Sequence, residues 1–124
     1  MFMENIAFGA LCYVGRLLPR LIPRLSKALP STGRTEYVNA SHQIFASKRI
    51  VRFYEMEYSI RRDAVVEALN RVRKMVDEKG FLLNFPVEVR FTAGDDIPLS
   101  TGSGRNNAYI AVHVFKGMKY EPYF

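Results

Sequence analysis

Cysteine and histidine are scarce in this chain of 124 residues, which has one cysteine and two histidines. A lone cysteine, Cys12, cannot form an internal disulfide or supply a zinc site of the paired-cysteine kind. The histidines, His42 and His113, lie far apart in the sequence and form no histidine-pair motif. We therefore expect no metal site, and we expect Cys12 to be a buried, unreactive thiol because no base partner for it is recognisable.

The chain also lacks a long hydrophobic run. Its uncharged stretch near the N-terminus, Ile6 to Gly15, has ten residues, whereas a membrane-spanning helix needs about 20. Glu4, with no basic residue before the stretch, is atypical of a secretory signal or a transit peptide. We expect a cytoplasmic protein, with peripheral contact to a membrane left open.

Acidic residues are sparse at the N-terminus. Residues 1–34 contain five Lys and Arg against one acid, whereas residues 63–124 contain eight of each, so the net charge of +6 belongs to the first half. The spacing of four of the basic residues is helical, with leucines between them: Arg16, Arg20, Arg24 and Lys27. This pattern favours a membrane surface or a partner, but Pro19 and Pro23 predict short helical turns instead of one rod. We expect no nucleic-acid partner, because the basic positions lack an aromatic stacking platform.

The remaining composition is that of a globular protein, with 48 % apolar and 24 % charged residues. The breaker cluster from Pro30 to Gly33 is the best candidate for a linker. We therefore divide the chain into a basic, proline-interrupted helical segment with its linker, residues 1–34, and a domain formed by residues 35–124.

Hydrophobic periodicity predicts four elements in the second part of the chain. Alternating residues indicate strands over Val51–Ile60, Phe85–Thr92 and Ala108–Phe115. Between the first two strands, apolar spacings of three and four predict a helix with Asp63 as its N-cap and Gly80 as its terminator. The order predicts an α+β fold in which an antiparallel sheet is covered by the helix on one face and preceded by the N-terminal helical segment.

Glu88 and Arg90 lie two residues apart on a predicted strand, so their side chains emerge on one face. Such a pair can bind a hydroxylated substrate, the arginine donating to an oxygen on which charge develops. From spacing alone, an ordinary solvated sheet face with a weak ion pair is the favoured explanation. His113 can join this pair if its strand has the right register, and otherwise it is a structural histidine.

Two further motifs have simpler explanations. Asp95 and Asp96 follow a glycine and precede a proline, which indicates a turn more than a pair of catalytic carboxylates. The segment Ser100–Arg105 is superficially similar to a phosphate-binding loop. Because a β-rich segment follows it instead of a helix, that match is weak.

Taken together, the motifs resemble a known family. The matching stretches are Phe53–Tyr58, Pro86–Phe91, Asp95–Ser100, Gly104–Arg105, Tyr109–His113 and Lys116–Phe124. They are similar to the C-terminal domain of the D-arabinono-1,4-lactone and L-gulono-1,4-lactone oxidases and dehydrogenases, flavoproteins related to alditol oxidases within the vanillyl-alcohol oxidase group. The resemblance covers roughly Val38 to Phe124.

The resemblance implies a role for the residues singled out above. In that family an N-terminal domain binds FAD, and the C-terminal domain caps the flavin and shapes the substrate site. The family's Glu-x-Arg motif falls on Glu88 and Arg90, which implies substrate binding by both residues, a catalytic role for Arg90 and a weaker substrate-binding assignment for His113. The implied reaction is hydride transfer from a sugar-lactone or polyol carbon to the flavin.

Departures from the family pattern lead to a second set of expectations. We expect a fragment, since neither the FAD domain nor the closing His-Trp-Gly-Lys segment of the family has a counterpart. In a separate departure, Asn106-Asn107 replaces the Asp-Thr or Asp-Ser that usually follows the Gly-Arg pair. Such a chain would neither hold FAD tightly nor turn over alone, and a separate FAD-binding domain would be its partner. The competing hypothesis is a non-catalytic remnant or interaction module with a membrane- or partner-binding N-terminal segment.

Overall fold

A computed structural model describes residues 2–28, 36, 38–46 and 50–124. The chain divides into two compact units, Met1–Arg52 and Phe53–Phe124. The linker predicted at Pro30–Gly33 and the predicted boundary after residue 34 lie outside the described residues.

The first unit is helical in its described part. It contains α1 (Phe2–Leu17), a 3-10 turn (Pro19–Leu21), α2 (Ile22–Ala28) and α3 (Ser41–Phe45). Pro19 stands at the first position of the 3-10 turn and Pro23 in the first turn of α2, where a missing N–H breaks no helical hydrogen bond. The four basic residues therefore lie at the end of α1, in the 3-10 turn and in α2, so they do not share one helix.

Within the described residues, no helix is both long enough and apolar enough to cross a membrane. Cys12 lies in α1 and is 1 % exposed, as expected for a small apolar residue. Burial raises the pKa of its thiol to about 11. The thiol is therefore protonated, and thus a weak nucleophile, at neutral pH.

The second unit is built on a three-stranded antiparallel sheet. Its strands are β1 (Phe53–Arg61), β2 (Glu88–Thr92) and β3 (Asn107–Phe115), in the order β1-β3-β2. The central strand β3 is the most buried, because it has a neighbour on both sides. The predicted α+β class with an antiparallel sheet is confirmed.

Strand β2 is shorter than the alternation predicted. The pattern indicated a strand from Phe85, but pairing with β3 begins at Glu88. Pro86 has no N–H to donate to a ladder, which explains why an apolar alternation continues beyond the hydrogen-bonded strand.

Helix α4 (Val65–Lys79) follows β1 after a 3-10 turn formed by Arg62–Ala64. The predicted N-cap was wrong: Ala64 occupies that position and supplies no side-chain cap, while the Asp63 carboxylate accepts hydrogen bonds from Arg61. The predicted terminator is confirmed, since Gly80 has φ of 64° and ψ of 34° at the C-cap. This left-handed conformation is the one that glycine adopts without a steric cost.

The core lies between α4 and one face of the sheet. Val112 and Val114 of β3 and the C-terminal Tyr123 are its buried centre, and Met75 and Val76 of α4 pack against them. The opposite face of the sheet carries the polar residues, so the helix covers one face as predicted.

The loop that joins β2 to β3 is held by its own hydrogen bonds. The Asp95 carboxylate accepts from the Ile97 N–H at 3.1 Å and from the Ser100 hydroxyl at 2.7 Å. The Gly104 N–H donates to the Asp95 carbonyl at 2.9 Å. This confirms that Asp95 forms a turn, because both of its carboxylate oxygens are used within the loop.

Candidate functional site

The register of the sheet brings the predicted pair next to a third charged residue. Glu57 of β1 and Glu88 of β2 both lie opposite Ala111 of the central strand. Directly paired residues of antiparallel strands share a face, and Ala111 has only a methyl group between the two carboxylates. One row further along, Tyr109 of β3 lies opposite Arg90.

Arg90 bridges these two carboxylates. One of its Nη2 hydrogens is donated to Glu57 Oε1 in a short hydrogen bond, and its Nε lies 3.3 Å from Glu88 Oε1. The side chain of Arg90 is 51 % exposed and those of Glu57 and Glu88 are 32 % and 40 % exposed. The cluster is thus held together from two edge strands yet remains open to a ligand. We call Glu57, Glu88 and Arg90 the carboxylate–arginine cluster.

The electrostatics of this cluster fix the charge of Arg90. The hydrogen bond to Glu57 is the largest cause that raises its pKa above the ordinary value. Desolvation is the next largest cause and opposes this rise, while the charges of Glu57, Glu88 and Glu55 add to it. Arg90 is therefore a permanent cation. The Glu57 and Glu88 carboxylates retain lone pairs that can accept hydroxyl hydrogens.

His113 shares this face but lies one row away from the cluster. It lies on β3 opposite Glu55 of β1, and its Nε2 is 3.3 Å from Glu55 Oε1. The ring, 6 % exposed, packs edge-on to Phe53 at 5.0 Å and stacks on Phe85 at 5.8 Å between centroids. The register therefore brings His113 to the correct face but opposite Glu55, whereas Glu88 pairs with Ala111.

The Nδ1 atom of His113 is buried and has no hydrogen-bond partner among the described residues. A buried ring nitrogen without a partner is costly in a purely structural histidine. This leaves the assignment of His113 to substrate binding as a prediction.

Three further residues of this face, Glu55, Glu57 and Tyr109, were not predicted as site residues from their spacing. Glu55 and Glu57 alternate with apolar residues on β1, so their common face was evident, but their distance from Arg90 depends on the register. The Tyr109 hydroxyl forms a short hydrogen bond with the Thr101 hydroxyl. This bond is the largest cause that lowers the pKa of Tyr109. No signal in a single sequence shows which residue will lie opposite Arg90.

Three carboxylates on one face raise the question of a metal ion. Among the described residues, however, no group of three acidic, histidine or cysteine side chains is placed to hold one. Arg90 lies between Glu57 and Glu88 and takes the position of a cation. This geometry favours a ligand with hydroxyl groups and an electron-rich oxygen.

Comparison with known proteins gives a family for this arrangement. The family model described as D-arabinono-1,4-lactone oxidase matches residues 1–124, which extends the resemblance through the helical first unit. No solved structure matches the chain.

Two curated relatives are named as enzymes that oxidise a sugar lactone. The chain is 43 % identical over 122 residues to an L-gulono-1,4-lactone dehydrogenase of Mycobacterium tuberculosis, covering 98 % of this chain and 28 % of that protein. It is 31 % identical over 110 residues to the L-gulonolactone oxidase of Bos taurus, covering 86 % of this chain and 25 % of that protein. The chain thus spans about a quarter of the length of these relatives. Since the family model covers all of its residues, the chain belongs to the D-arabinono-1,4-lactone oxidase family.

Proposed function

We propose that this chain forms the substrate side of a site that oxidises a sugar lactone or a related polyol. The observation that carries the proposal is Arg90, which joins Glu57 and Glu88 on the open face of the sheet. A lactone presents hydroxyl donors and a carbonyl oxygen. The cluster offers the complementary carboxylate acceptors and guanidinium donors at one place.

Each member of the cluster has a distinct role in this proposal. Arg90 donates to the substrate oxygen, which gains negative charge as its proton passes to water at this half-exposed face. The permanent charge of Arg90 makes it a better donor than a neutral group. Glu88 accepts from neighbouring hydroxyls and orients the carbon that loses hydride. Glu57 holds the guanidinium in place, and His113 bounds the site beside Glu55.

FAD supplies the hydride acceptor in this chemistry when it is bound, but the described face does not fit that cofactor. Glu55, Glu57 and Glu88 outnumber Arg90, and their charge opposes the pyrophosphate of a dinucleotide. The aromatic rings of Phe53 and Phe85 are occupied by His113. We therefore propose that FAD is held by another domain and that the chain alone neither holds flavin nor turns over.

A chimera tests this proposal. This chain replaces the matching 122-residue stretch of the Mycobacterium tuberculosis dehydrogenase. We expect oxidation of L-gulono-1,4-lactone by the chimera, and a fall in kcat/KM of about 100-fold or more for Arg90→Ala, the size expected when one preorganised donor is lost. Glu88→Gln keeps the shape but weakens acceptance, so a fall of about tenfold is expected.

The matched control is Arg73→Ala, because Arg73 lies on the exposed face of α4 and pairs only weakly with Asp77, at 4.0 Å. Equal activity of the Arg90→Ala and Arg73→Ala chimeras would refute the role of the cluster. If the chimera does not fold, the proposal is tested by an NMR titration of the 124-residue chain with the lactone. Shifts must then appear at β1, β2 and β3 and disappear in Arg90→Ala.

A second candidate function is peripheral contact with an anionic membrane, and the exposed surface where α1 ends favours it. Leu17 and Leu18 are 63 % and 56 % exposed beside the exposed residue Arg16. Exposed leucines with arginines are the combination that binds a headgroup layer. Sedimentation with phosphatidylglycerol vesicles should be salt-sensitive and should be lost when Arg16, Arg20 and Arg24 are changed to Gln. Binding that survives these changes would exclude this candidate.

A further inference from the structure

A separate cavity lies where β1 ends and β3 begins. Its volume is about 650 Å³, and its lining consists of Arg61, Arg62, Asp63, Gly104, Arg105 and Asn106. Along β1, Arg61 is four residues from Glu57, a distance of about 13 Å in a strand. The cavity is therefore distinct from the carboxylate–arginine cluster.

The lining has an excess of positive charge. Arg61 is neutralised by Asp63, to which its Nε and Nη2 donate at 3.1 and 2.6 Å. Arg62 stands over the ring of Phe91, with 5.2 Å between its Cζ and the ring centroid, which leaves its N–H groups free to donate in the guanidinium plane. The Arg105 side chain has no hydrogen bond or ion pair with any residue that the structure describes. Two guanidinium groups thus lack an anionic partner within the described lining.

The backbone around the cavity is held by hydrogen bonds, whereas its arginine side chains are exposed. Arg61 pairs with Asn107 across the sheet, and the Arg62 N–H donates to the Asn106 carbonyl at 3.1 Å. The Asn106 side chain in turn accepts from the Gly94 N–H at 2.8 Å. The positions from which Arg62 and Arg105 extend are therefore set before a ligand binds, which lowers part of the entropy cost of binding.

The loop contributes side chains to this cavity and not backbone donors. The N–H groups of Gly104 and Arg105 already donate to the carbonyls of Asp95 and Gly102. This agrees with the weak match of Ser100–Arg105 to a phosphate loop, in which free N–H groups cradle the anion. Recognition here must come from the guanidinium groups.

We propose that this cavity binds a phosphoryl dianion, either free phosphate or a phosphate monoester, through Arg62 and Arg105. The planar guanidinium donates two parallel N–H groups to phosphate oxygens, and two unpaired arginines match the charge of a dianion. The volume exceeds that of one phosphate and leaves room for a sugar-sized ester group. A neutral lactone offers no charge to these arginines, so this site goes beyond the proposed oxidation.

The test is an NMR titration of the 124-residue chain with inorganic phosphate and with glucose 6-phosphate at low ionic strength. Both ligands should shift the Arg62 and Arg105 side-chain signals and the amides of Gly104–Asn106. Because the second pKa of a phosphate monoester is about 6, its affinity should rise about fourfold from pH 5.5 to 7.5 as the dianion replaces the monoanion.

Sulfate is the control for the ligand, since it is dianionic at both pH values and its affinity should stay constant. Arginine guanidinium groups in proteins are charged throughout this range. Asp63, the one acidic residue in the described lining, remains ionised because the hydrogen bond from Arg61 lowers its pKa. A pH effect of equal size for sulfate would overturn the assignment to the phosphoryl dianion.

Variants provide the control for the site. Arg62→Gln and Arg105→Gln should each weaken binding about tenfold or more, whereas Arg73→Gln, which removes the same charge from α4, should leave it unchanged. Arg105→Lys keeps the charge but loses the two parallel N–H donors of the guanidinium, so its affinity should be intermediate. The proposal is overturned if neither ligand binds at millimolar concentration, or if all these variants bind alike.

Discussion

Arg90 is held by carboxylates that come from two different strands. Glu88 is its neighbour in sequence, and their common face follows from the alternation of side chains along a strand. Glu57 is 33 residues away, and only the pairing of both strands with β3 brings it within a hydrogen bond of Arg90. The ion pairs are partly exposed, so their contribution to stability is small, about 1 kcal/mol or less. Their importance lies in orienting the guanidinium.

A prediction at the residue scale concerns Cys12. Burial raises its pKa from 9.0 to about 11, so the folded state favours the protonated thiol. The resulting stabilisation is complete below pH 9 and is lost as pH rises from about 9 to 11, by at most about 2–3 kcal/mol. Urea unfolding between pH 8 and 10.5 should therefore show a steeper loss of stability for the wild type than for Cys12→Ala.

The comparison with Cys12→Ala is necessary because tyrosines and lysines titrate in the same range in both proteins. The difference between the two slopes isolates the thiol. Parallel pH dependences would contradict the prediction, and so would rapid reaction of the folded wild type with a thiol reagent at pH 8.

Among the elements, periodicity predicted β1, α4 and β3 well. Their ends were less predictable where hydrogen bonding decides them. Strand β2 begins at Glu88, after a proline that cannot donate, and Asp63 pairs with Arg61 instead of capping α4. The short helix α3 was not predicted, because five residues carry too little periodicity to distinguish a helix from a turn.

The loop between β2 and β3 leads to a prediction at the scale of elements. A Cβ on Gly94 would lie 2.9 Å from the Arg105 carbonyl carbon and 3.0 Å from its oxygen. Because these are backbone atoms, the loop must shift, and Gly94→Ala should cost about 1–3 kcal/mol in the free energy of unfolding. Amide shifts should extend from residue 94 to residue 106, since the Asn106 contact is lost.

Gly80→Ala is the matched control for this change. No atom lies within 4 Å of a Cβ at Gly80, and only its φ of 64° opposes a side chain. We expect a cost of about 1 kcal/mol and amide shifts confined to the end of α4. Urea denaturation of both variants measures the difference, and a Gly94→Ala protein as stable as the wild type would show that the loop is not held closely.

At the scale of the whole molecule, the two compact units differ in charge and structure. The basic excess lies in the first half of the chain, whereas the sheet, α4 and the core centred on Val112, Val114 and Tyr123 all lie within Phe53–Phe124. The carboxylate–arginine cluster and the cavity lined by Arg61, Arg62 and Arg105 also belong to the second unit. A unit with its own core can fold independently.

We therefore predict that a protein consisting of residues 53–124 folds on its own. Its circular dichroism should show a cooperative thermal transition, and its NMR spectrum should be dispersed, as expected for strands with fixed packing. A control with Val114→Ala should lower the midpoint, because Val114 is 2 % exposed at the core centre. A spectrum without dispersion would contradict the prediction and would show that the second unit needs other parts of the protein.

The class of the fold, the faces of its strands, the end of α4 at Gly80 and the family all follow from the amino-acid sequence. These properties depend on local spacing, on the conformational freedom of one glycine and on ordered motifs, all of which are readable along the chain. Tertiary structure alone decided which charges meet. The register across β3 set Glu57 beside Arg90 and His113 beside Glu55, and the junction of β1 with β3 gathered Arg61, Arg62 and Arg105 around one cavity. Pairing between strands distant in sequence is set by packing of the whole sheet, and no local pattern specifies it.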